Sequence, residues 1–321
     1  MTTERQVDVV VVGAGPAGLA AAARLAAAGA GRVDVLEREP EGGGVPRYCA
    51  HGGFGTRTRP LSGAAYARLL VEAAARAGAV VRTGVTVLDW AGHDGAAVGT
   101  RQAERLGLAT IGVRGPETVT ARAVLLATGA YERPRAARLI PGTRPAGIHT
   151  GGELLQAVHR YRQPIGERAV VVGAEDVSYV AAGTVRAAGA EVVAMVTEQP
   201  RAGSVRALDA RLRSRVPLLT GTAVTEILGH GRLSGVRIRH RDGRTGVLAC
   251  DTAVFTGDFA AEDELARRGR IALPGGPGPY TGRPGVFAVG GLRRPGLDVR
   301  AATREGVEAA RAVLEWLVSR P

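Results

Sequence analysis

Lysine and asparagine are absent from the 321 residues, and all 42 basic side chains are arginine. Residues with A-rich codons are missing while Ala, Gly and Arg abound, the bias of a GC-rich genome. The formal net charge of +12 therefore reads first as composition. The arginines are spread along the chain instead of forming a stripe, and aromatics make up 4%, too few for a base-stacking platform. Nucleic acid is not the expected partner, and the surplus charge gives only weak attraction for anions. Cysteine is nearly absent. Cys49 and Cys250 lie far apart with no CxxC or CxxxxC pair, which excludes a redox-active disulfide between close cysteines. The six His are scattered, without the spacing of metal ligands. No apolar run is long enough to span a membrane, and the charged start Met1-Thr2-Thr3-Glu4-Arg5 does not read as a signal peptide. We expect a cytoplasmic protein with no membrane partner. What remains, 45% hydrophobic and 22% charged, is the composition of a globular chain with room for two medium domains.

Val9-Val10-Val11-Val12 reads as a strand buried on both faces, and it runs directly into Gly13-Ala14-Gly15-Pro16-Ala17-Gly18. In that arrangement Gly13 permits a tight turn, Gly15 lets backbone approach a pyrophosphate, and Gly18 lets the following helix pack close to the strand. The helix is read over Leu19–Ala28 and stops at Gly29. A second strand, Val33–Leu36, ends in Glu37, whose carboxylate can accept hydrogen bonds from an adenosine ribose. A glycine pattern alone carries little. Strand, glycines, helix, strand and acid in this order point to a dinucleotide-binding βαβ unit.

A Gly-rich turn follows at Glu41–Pro46, then a helix over Leu61–Ala77 with Ser62 as N-cap and Gly78 as stop. Strands are read at Val80–Arg82 and Val85–Leu88, an exposed loop over 91–104, and a hairpin from Leu108–Val113 to Val119–Ala123 across Gly115-Pro116. Val124–Ala127 is a buried strand ending in Thr128-Gly129-Ala130, and a Pro- and Arg-rich connector covers Arg133–Pro145. A second βαβ unit then begins: strand Ala169–Val172, Gly173, helix Val177–Ala188, Gly189, strand Glu191–Val196. Strands at Leu218-Leu219, Ala223–Leu228, Gly235–Arg241 and Thr252–Gly257 follow. A strand over Gly285–Gly291 and a helix over Val299–Leu317 capped by Asp298 complete the pattern. The strand–Gly–helix–Gly–Ala–strand order thus occurs twice.

These pieces in this order resemble the two-dinucleotide-binding-domain flavoproteins of the pyridine nucleotide-disulfide oxidoreductase superfamily. The carriers are Gly13-x-Gly15-x-x-Gly18 with Glu37, Ala127-Thr128-Gly129, the inner unit at Gly173, Thr256-Gly257-Asp258, and Gly285–Gly290. The size is similar to that of thioredoxin reductases, and Ala127–Pro134 is similar to the FAD subunits of heteromeric opine and amino-acid dehydrogenases. The resemblance implies an α/β fold with two Rossmann-like three-layer nucleotide-binding domains, the second inserted into the first. Residues 1–140 and 258–321 would form the FAD-binding domain, and 141–257 the inserted NAD(P)-like domain. FAD would lie along Gly13, Gly15, Pro16, Ala17, Gly18, Glu37, Arg38, Gly43 and Gly44, with adenine near Val87. Thr128 and Gly129 would flank the pyrophosphate, Gly290 and Gly291 would reach the ribityl chain, and Asp298 and Val299 would face the flavin pyrimidine. A helix N-terminus there stabilises the negative charge of reduced flavin.

Three departures matter. Gly290-Gly291 stands where the family has Gly-Asp, which removes a polar contact to the ribityl chain. Glu175 stands where the inner unit needs its second glycine and sets a carboxylate, with Asp176 beside it, against a pyrophosphate. The inner strand-end acid is displaced, because Thr197 occupies the position equivalent to Glu37. The inner domain therefore either binds NAD(P)H or keeps its fold without its ligand. Lack of a close cysteine pair excludes disulfide reductase chemistry. For catalysis the segment Arg47–Phe54 offers His51 as acid or base and Cys49 near the flavin, against inert structural roles for both. Tyr131, Arg133 and His149 are secondary candidates. Two readings follow: an FAD-dependent oxidoreductase passing hydride or electrons between a small organic substrate and an acceptor, or an FAD-binding subunit of a heteromeric dehydrogenase that does not use NAD(P)H. The partners expected are a small-molecule substrate and either a partner subunit or a second copy.

Overall fold

Four successive valines leave a strand no polar face, so Val9–Val12 must be covered on both sides. In the computed structural model, which describes residues 3–56, 58–91, 105–201, 216–275 and 278–319, all four are buried. The chain divides into two compact units, Met1–Ala130 with Ala261–Pro321, and Tyr131–Ala260.

The outer unit begins with β1 (Thr3–Gln6), β2 (Val9–Val12), α1 (Pro16–Ala27) and β3 (Val33–Glu37). The short strands β4 (Phe54–Gly55) and β5 (Pro60–Leu61) precede α2 (Gly63–Arg76), β6 (Val80–Thr83) and β7 (Thr86–Ala91). Then come β8 (Leu106–Gly112), β9 (Gly115–Ala121) and β10 (Ala123–Leu126). In the inner unit, counting its two boundary strands, β11 (Ala130–Glu132) and β12 (Ile148–Thr150) lead into α3 (Gly151–Leu155), β13 (Arg168–Val172), α4 (Asp176–Ala187) and β14 (Glu191–Val196). It continues through β15 (Leu218–Leu219), β16 (Thr222–His230), β17 (Arg232–His240), β18 (Thr245–Ala249), β19 (Thr252–Phe255) and β20 (Phe259–Ala261). The chain returns through α5 (Glu264–Arg268), β21 (Val286–Ala288) and α6 (Val299–Ser319).

Each unit is a parallel sheet between two layers. The outer sheet runs β21-β10-β2-β3-β6, and the inner one β12-β19-β13-β14-β15. In the outer unit Val9 and Val11 pack with Leu19, Leu25 and Val313 on the helix side. Val10 and Val12 pack with Leu108, Val119 and Trp90 of the β1-β9-β8-β7 sheet on the other side. The inner unit repeats the design: Ala169 and Val171 face Ala181 and Val185, while Val170 faces Ile227, Leu233 and Val236 of the β16-β17-β18 meander. Burial of this kind contributes about 25 cal/mol per Å² of apolar surface and commits both faces of each sheet.

Local signals set most boundaries. Ser62 Oγ accepts from Ala65 N at 3.2 Å and starts α2. Both long βαβ helices begin earlier than their apolar runs, α1 at Pro16 and α4 at Asp176. Proline suits a first helical position because its missing N–H would have no partner there. The hairpin turns between Gly112 and Gly115, so Pro116 lies in β9 opposite Ile111 instead of in the turn. Apart from Ala91, the loop expected over 91–104 lies outside the described residues.

Candidate functional site

At the C-terminal ends of β2 and β10 the outer unit holds an open turn. Gly13 has φ +105, and a Cβ there would stand 2.4 Å from Ala127 O, so only glycine fits. Its N–H donates to Leu36 O at 2.8 Å. Gly15 is the N-cap of α1, and no side chain caps that helix. A Cβ added at Gly15 or at Gly129 would meet no described atom within 4 Å. Gly44 backs the turn, with its own Cβ position 3.0 Å from Gly15 Cα, and Gly43 N donates to Ala14 O at 2.7 Å. An uncapped helix N-terminus beside open space receives phosphate through its N–H groups and the positive end of its dipole. Glu37, buried at the end of β3, accepts from Ala14 N and Glu39 N, each at 2.9 Å. Each carboxylate oxygen keeps a further lone pair, which suits a ribose diol. The residues present fit an adenine dinucleotide cofactor.

The other expected residues are placed as follows. A Cβ at Gly18 would lie 2.1 Å from Gly13 O, and one at Gly306 of α6 would lie 2.1 Å from Ala17 O. The turn therefore sits in a close stack of strand and two helices. Thr128 Oγ1 donates to Glu262 O at 2.7 Å, and Glu262 N donates to Gly129 O at 3.0 Å. The exposed Arg38 lies 3.3 Å from the Glu262 carboxylate. Gly290 N donates to Glu305 Oε2 at 3.1 Å. At Gly291 a Cβ would come within 3.2 Å of Ala130 N and 3.3 Å of Gly129 C, so a larger residue would press on the Gly129 turn. Asp298 Oδ1 accepts from Arg300 N at 2.9 Å and Ala301 N at 3.1 Å, which caps α6 at Val299. Val87 lies half-buried on β7, two residues beyond Val85, whose N–H donates to Glu37 O at 2.9 Å.

The segment carrying Cys49 and His51 is tied to the start of α6. Arg300 donates to Gly55 O, and Tyr66 Oη lies 2.8 Å from Thr303 Oγ1. Burial pushes the Cys49 thiol up to about 11, so it stays protonated at neutral pH and lacks thiolate reactivity. His51 is exposed; its ring stacks on Phe54 at 5.1 Å between centroids, and Nδ1 accepts from Gly53 N at 3.2 Å. Tyr131 is exposed, and Arg133 pairs with Asp258 at 3.4 Å. His149 sits on β12 opposite Val254, and burial holds its pKa below the ordinary 6.5.

The equivalent turn of the inner unit is filled. Gly173 N donates to Val196 O at 2.8 Å, as Gly13 N does to Leu36 O. Glu175 is the N-cap of α4. Its Oε2 accepts from Ala174 N at 3.0 Å and from the Ser178 hydroxyl at 3.0 Å. Glu175 N donates to Ser178 Oγ at 3.1 Å, and Ser178 Oγ lies 2.7 Å from Thr256 Oγ1. A Cβ at Gly257 would meet the Glu175 carboxyl carbon at 2.9 Å. Glu132 closes the neighbouring amides by accepting from Gly152 N at 2.8 Å and Gly257 N at 3.2 Å. Burial pushes its pKa above the ordinary carboxyl value against those bonds. Arg138 donates to Thr256 O at 3.1 Å and Gly257 O at 2.8 Å.

Sequence reasoning missed Glu132 and Gly306. Glu132 stands beside a Pro- and Arg-rich connector with no periodic signal, and its partners lie 20 and 125 residues on. Gly306 sits inside a helical run, where its only cue is the helix penalty of glycine.

A strand–Gly-rich turn–helix–strand–acid unit in one parallel sheet, and in the next a strand–Gly–helix–strand unit with Glu175 and Thr197 in place of the second glycine and the acid, define a protein of the two-fold dinucleotide-binding class. The chain belongs to the pyridine nucleotide-disulphide oxidoreductase family, whose model matches residues 7–307. Its class is thus that of the FAD-dependent oxidoreductases. It is 29% identical over 262 residues to the sarcosine oxidase subunit alpha of Rhizobium meliloti (strain 1021), covering 78% of this chain and 24% of that one. It is 33% identical over 237 residues to the same subunit of Corynebacterium sp. (strain P-1), covering 71% and 23%. The chain thus spans about a quarter of the length of these curated relatives. The thioredoxin reductase of T. acidophilum superposes with a TM-score of 0.80 over 99% of this chain and 100% of that one, at 21% identity. That likeness is one of fold. Among the described residues no helix is long and apolar enough to cross a membrane.

Proposed function

We propose that the outer unit binds FAD and that the chain is the flavin-bearing part of a multi-subunit oxidoreductase acting on a small organic substrate. The observation that carries this reading is the open turn: an uncapped α1 N-terminus, empty space at Gly15 and Gly129, and Glu37 at the strand end. Amides of Gly15, Ala17 and Gly18 and the α1 dipole would hold the pyrophosphate, and Glu37 the adenosine ribose. Gly43, Gly44, Thr128 and Gly129 would line the path. Gly290 and Gly291 would approach the ribityl chain, and the start of α6 at Asp298 and Val299 the flavin pyrimidine. When bound, FAD supplies the two-electron acceptor. Exposed His51 is our candidate for holding the substrate proton, and Cys49, protonated and buried, supports the fold of its segment. The curated relatives are named as subunits, which favours assembly with a partner chain over a stand-alone reductase. Their name also makes small N-methyl amino acids the first substrates to try.

The test is one purification and one spectrum. The chain is expected to come out yellow, or to take up added FAD with flavin absorbance and quenched flavin fluorescence. Co-expression with neighbouring subunits should yield a complex whose flavin bleaches anaerobically with sarcosine or a related amino acid. A colourless chain that takes up no FAD would overturn the reading.

A further inference from the structure

We infer that Glu175 stands in for the phosphates of a dinucleotide, so that the inner unit is closed to NADH and NADPH by its own carboxylate. The family is named for pyridine nucleotides, and the inner unit keeps the whole frame for one: parallel sheet, tight Gly173 turn, and helix start at the strand ends. Two of its donors, however, are already taken by that carboxylate. The Ala174 amide and the Ser178 hydroxyl both point at Glu175 Oε2 at 3.0 Å. The carboxyl group also fills the space beside Gly257. The corresponding space beside Gly129 is open. Gly152 and Gly257 amides are held by Glu132, and the Arg138 guanidinium is committed to two carbonyls. An incoming pyrophosphate would displace a satisfied anion, leave that anion nearby, and meet Asp176 on the first turn of the helix. Like charges held this close in a partly buried turn repel. The ribose position is altered too, because Thr197 holds Gln199 N at 3.2 Å where the outer unit has a carboxylate.

These contacts all lie in the inner unit, so nucleotide exclusion there is independent of flavin binding in the outer one. The experiment titrates the full chain with NAD+, NADH and NADPH by calorimetry and by NADH fluorescence, with inorganic pyrophosphate as a probe of the anion position. Wild type should show no saturation up to millimolar nucleotide. Glu175→Gly should bind pyrophosphate and NAD+ at least tenfold more tightly, since the N-cap backbone at φ −80 is one that glycine adopts without strain. Glu175→Gly with Thr197→Glu should gain further for NAD+ but not for NADPH, whose 2′-phosphate meets the new acid. Glu175→Gln keeps the side-chain shape and removes the charge, and it should recover part of the gain in the event that the glycine variant fails to fold. Saturation of wild type by NADH below about 100 µM, a binding strength of roughly 5–6 kcal/mol, would overturn the inference. So would folded Glu175 variants that bind no better than wild type. Flavin colour, read in the same samples, reports on the outer unit independently.

Discussion

Gly13 and Gly173 stand at the same point of two turns built to one plan. Each takes a positive φ, +105 and +141, and each donates to the neighbouring strand at 2.8 Å. Two residues on, Gly15 and Glu175 share an extended N-cap backbone at φ −80. From there the units diverge, and the divergence can be followed donor by donor. In the outer unit both the Ala14 amide in the turn and the Glu39 amide beyond the strand go to Glu37. In the inner unit the corresponding amides, Ala174 and Gln199, go to different residues, Glu175 and Thr197. The backbone demands are the same, since buried N–H groups must find acceptors. The acid has moved from the strand end, where it can reach a ribose, to the turn, where it takes the place of a phosphate. A fold can thus lose a ligand while satisfying every local requirement that the ligand's motif once met.

The largest effect is expected from making the outer turn resemble the inner one. Gly15→Glu should abolish FAD uptake, weakening it by more than about 1000-fold, roughly 4 kcal/mol. The chain should stay folded, because a Cβ there meets no described atom within 4 Å. Equilibrium titration with FAD, beside a thermal melt, checks both halves. Retained colour in a folded Gly15→Glu chain would remove the pyrophosphate from this turn. Next comes Glu37→Thr, which copies Thr197. It keeps an acceptor for Glu39 N, orphans Ala14 N and removes the carboxylate from the strand end. FAD should bind about 10–100-fold more weakly, and folding should lose about 1–3 kcal/mol for the unpaired buried amide. Denaturant melts with and without FAD separate the two effects. Glu132→Gln follows, at about 1 kcal/mol: one amide oxygen remains to accept, while two amides, Gly152 and Gly257, now share one acceptor site. The signature is a melt that shifts with no change in FAD affinity.

Both turns were legible in the chain because their signals are local: a run of valines, glycines at fixed offsets, an acid or its absence at the strand end. Glu175 was legible as an obstruction. Its actual posture was not, since a carboxylate expected to stand against a pyrophosphate folds back onto Ala174 N and Ser178. Nothing in the residue order says that the amide beside it lacks another acceptor. Gly291 read as a lost polar contact, whereas the structure adds a steric reason, the approach to Gly129 and Ala130. β12 and β18 escaped notice, the first because its three residues are too few to alternate and the second because Thr245–Ala249 is exposed along nearly its whole length and has no buried face to alternate with. Glu132 and Gly306 act through contacts distant in sequence, which no window along the chain can contain.

The smallest effect concerns pH, and it separates the units again. Burial holds the His149 imidazole below its ordinary 6.5, with the Arg232 charge adding to the shift and Glu153 opposing it. A base whose folded pKa is lowered binds fewer protons folded than unfolded, so stability falls as pH drops from 6.5 through the folded value. Glu132 runs the other way. Its pKa is raised above the ordinary 4.5, so the folded chain holds the extra proton and stability falls as pH rises through the window above 4.5. His149→Gln should therefore raise the melting temperature at pH 5.5 by about 1–2 °C and leave it unchanged at pH 8, a modest figure because the ring is only half-buried and partly screened. Both tryptophans, Trp90 and Trp316, lie in the outer unit, so their fluorescence follows that unit while far-UV circular dichroism follows the whole chain. The acid shift should appear in the dichroism melt and be weaker in tryptophan fluorescence. An equal shift in both would mean that the two units melt as one.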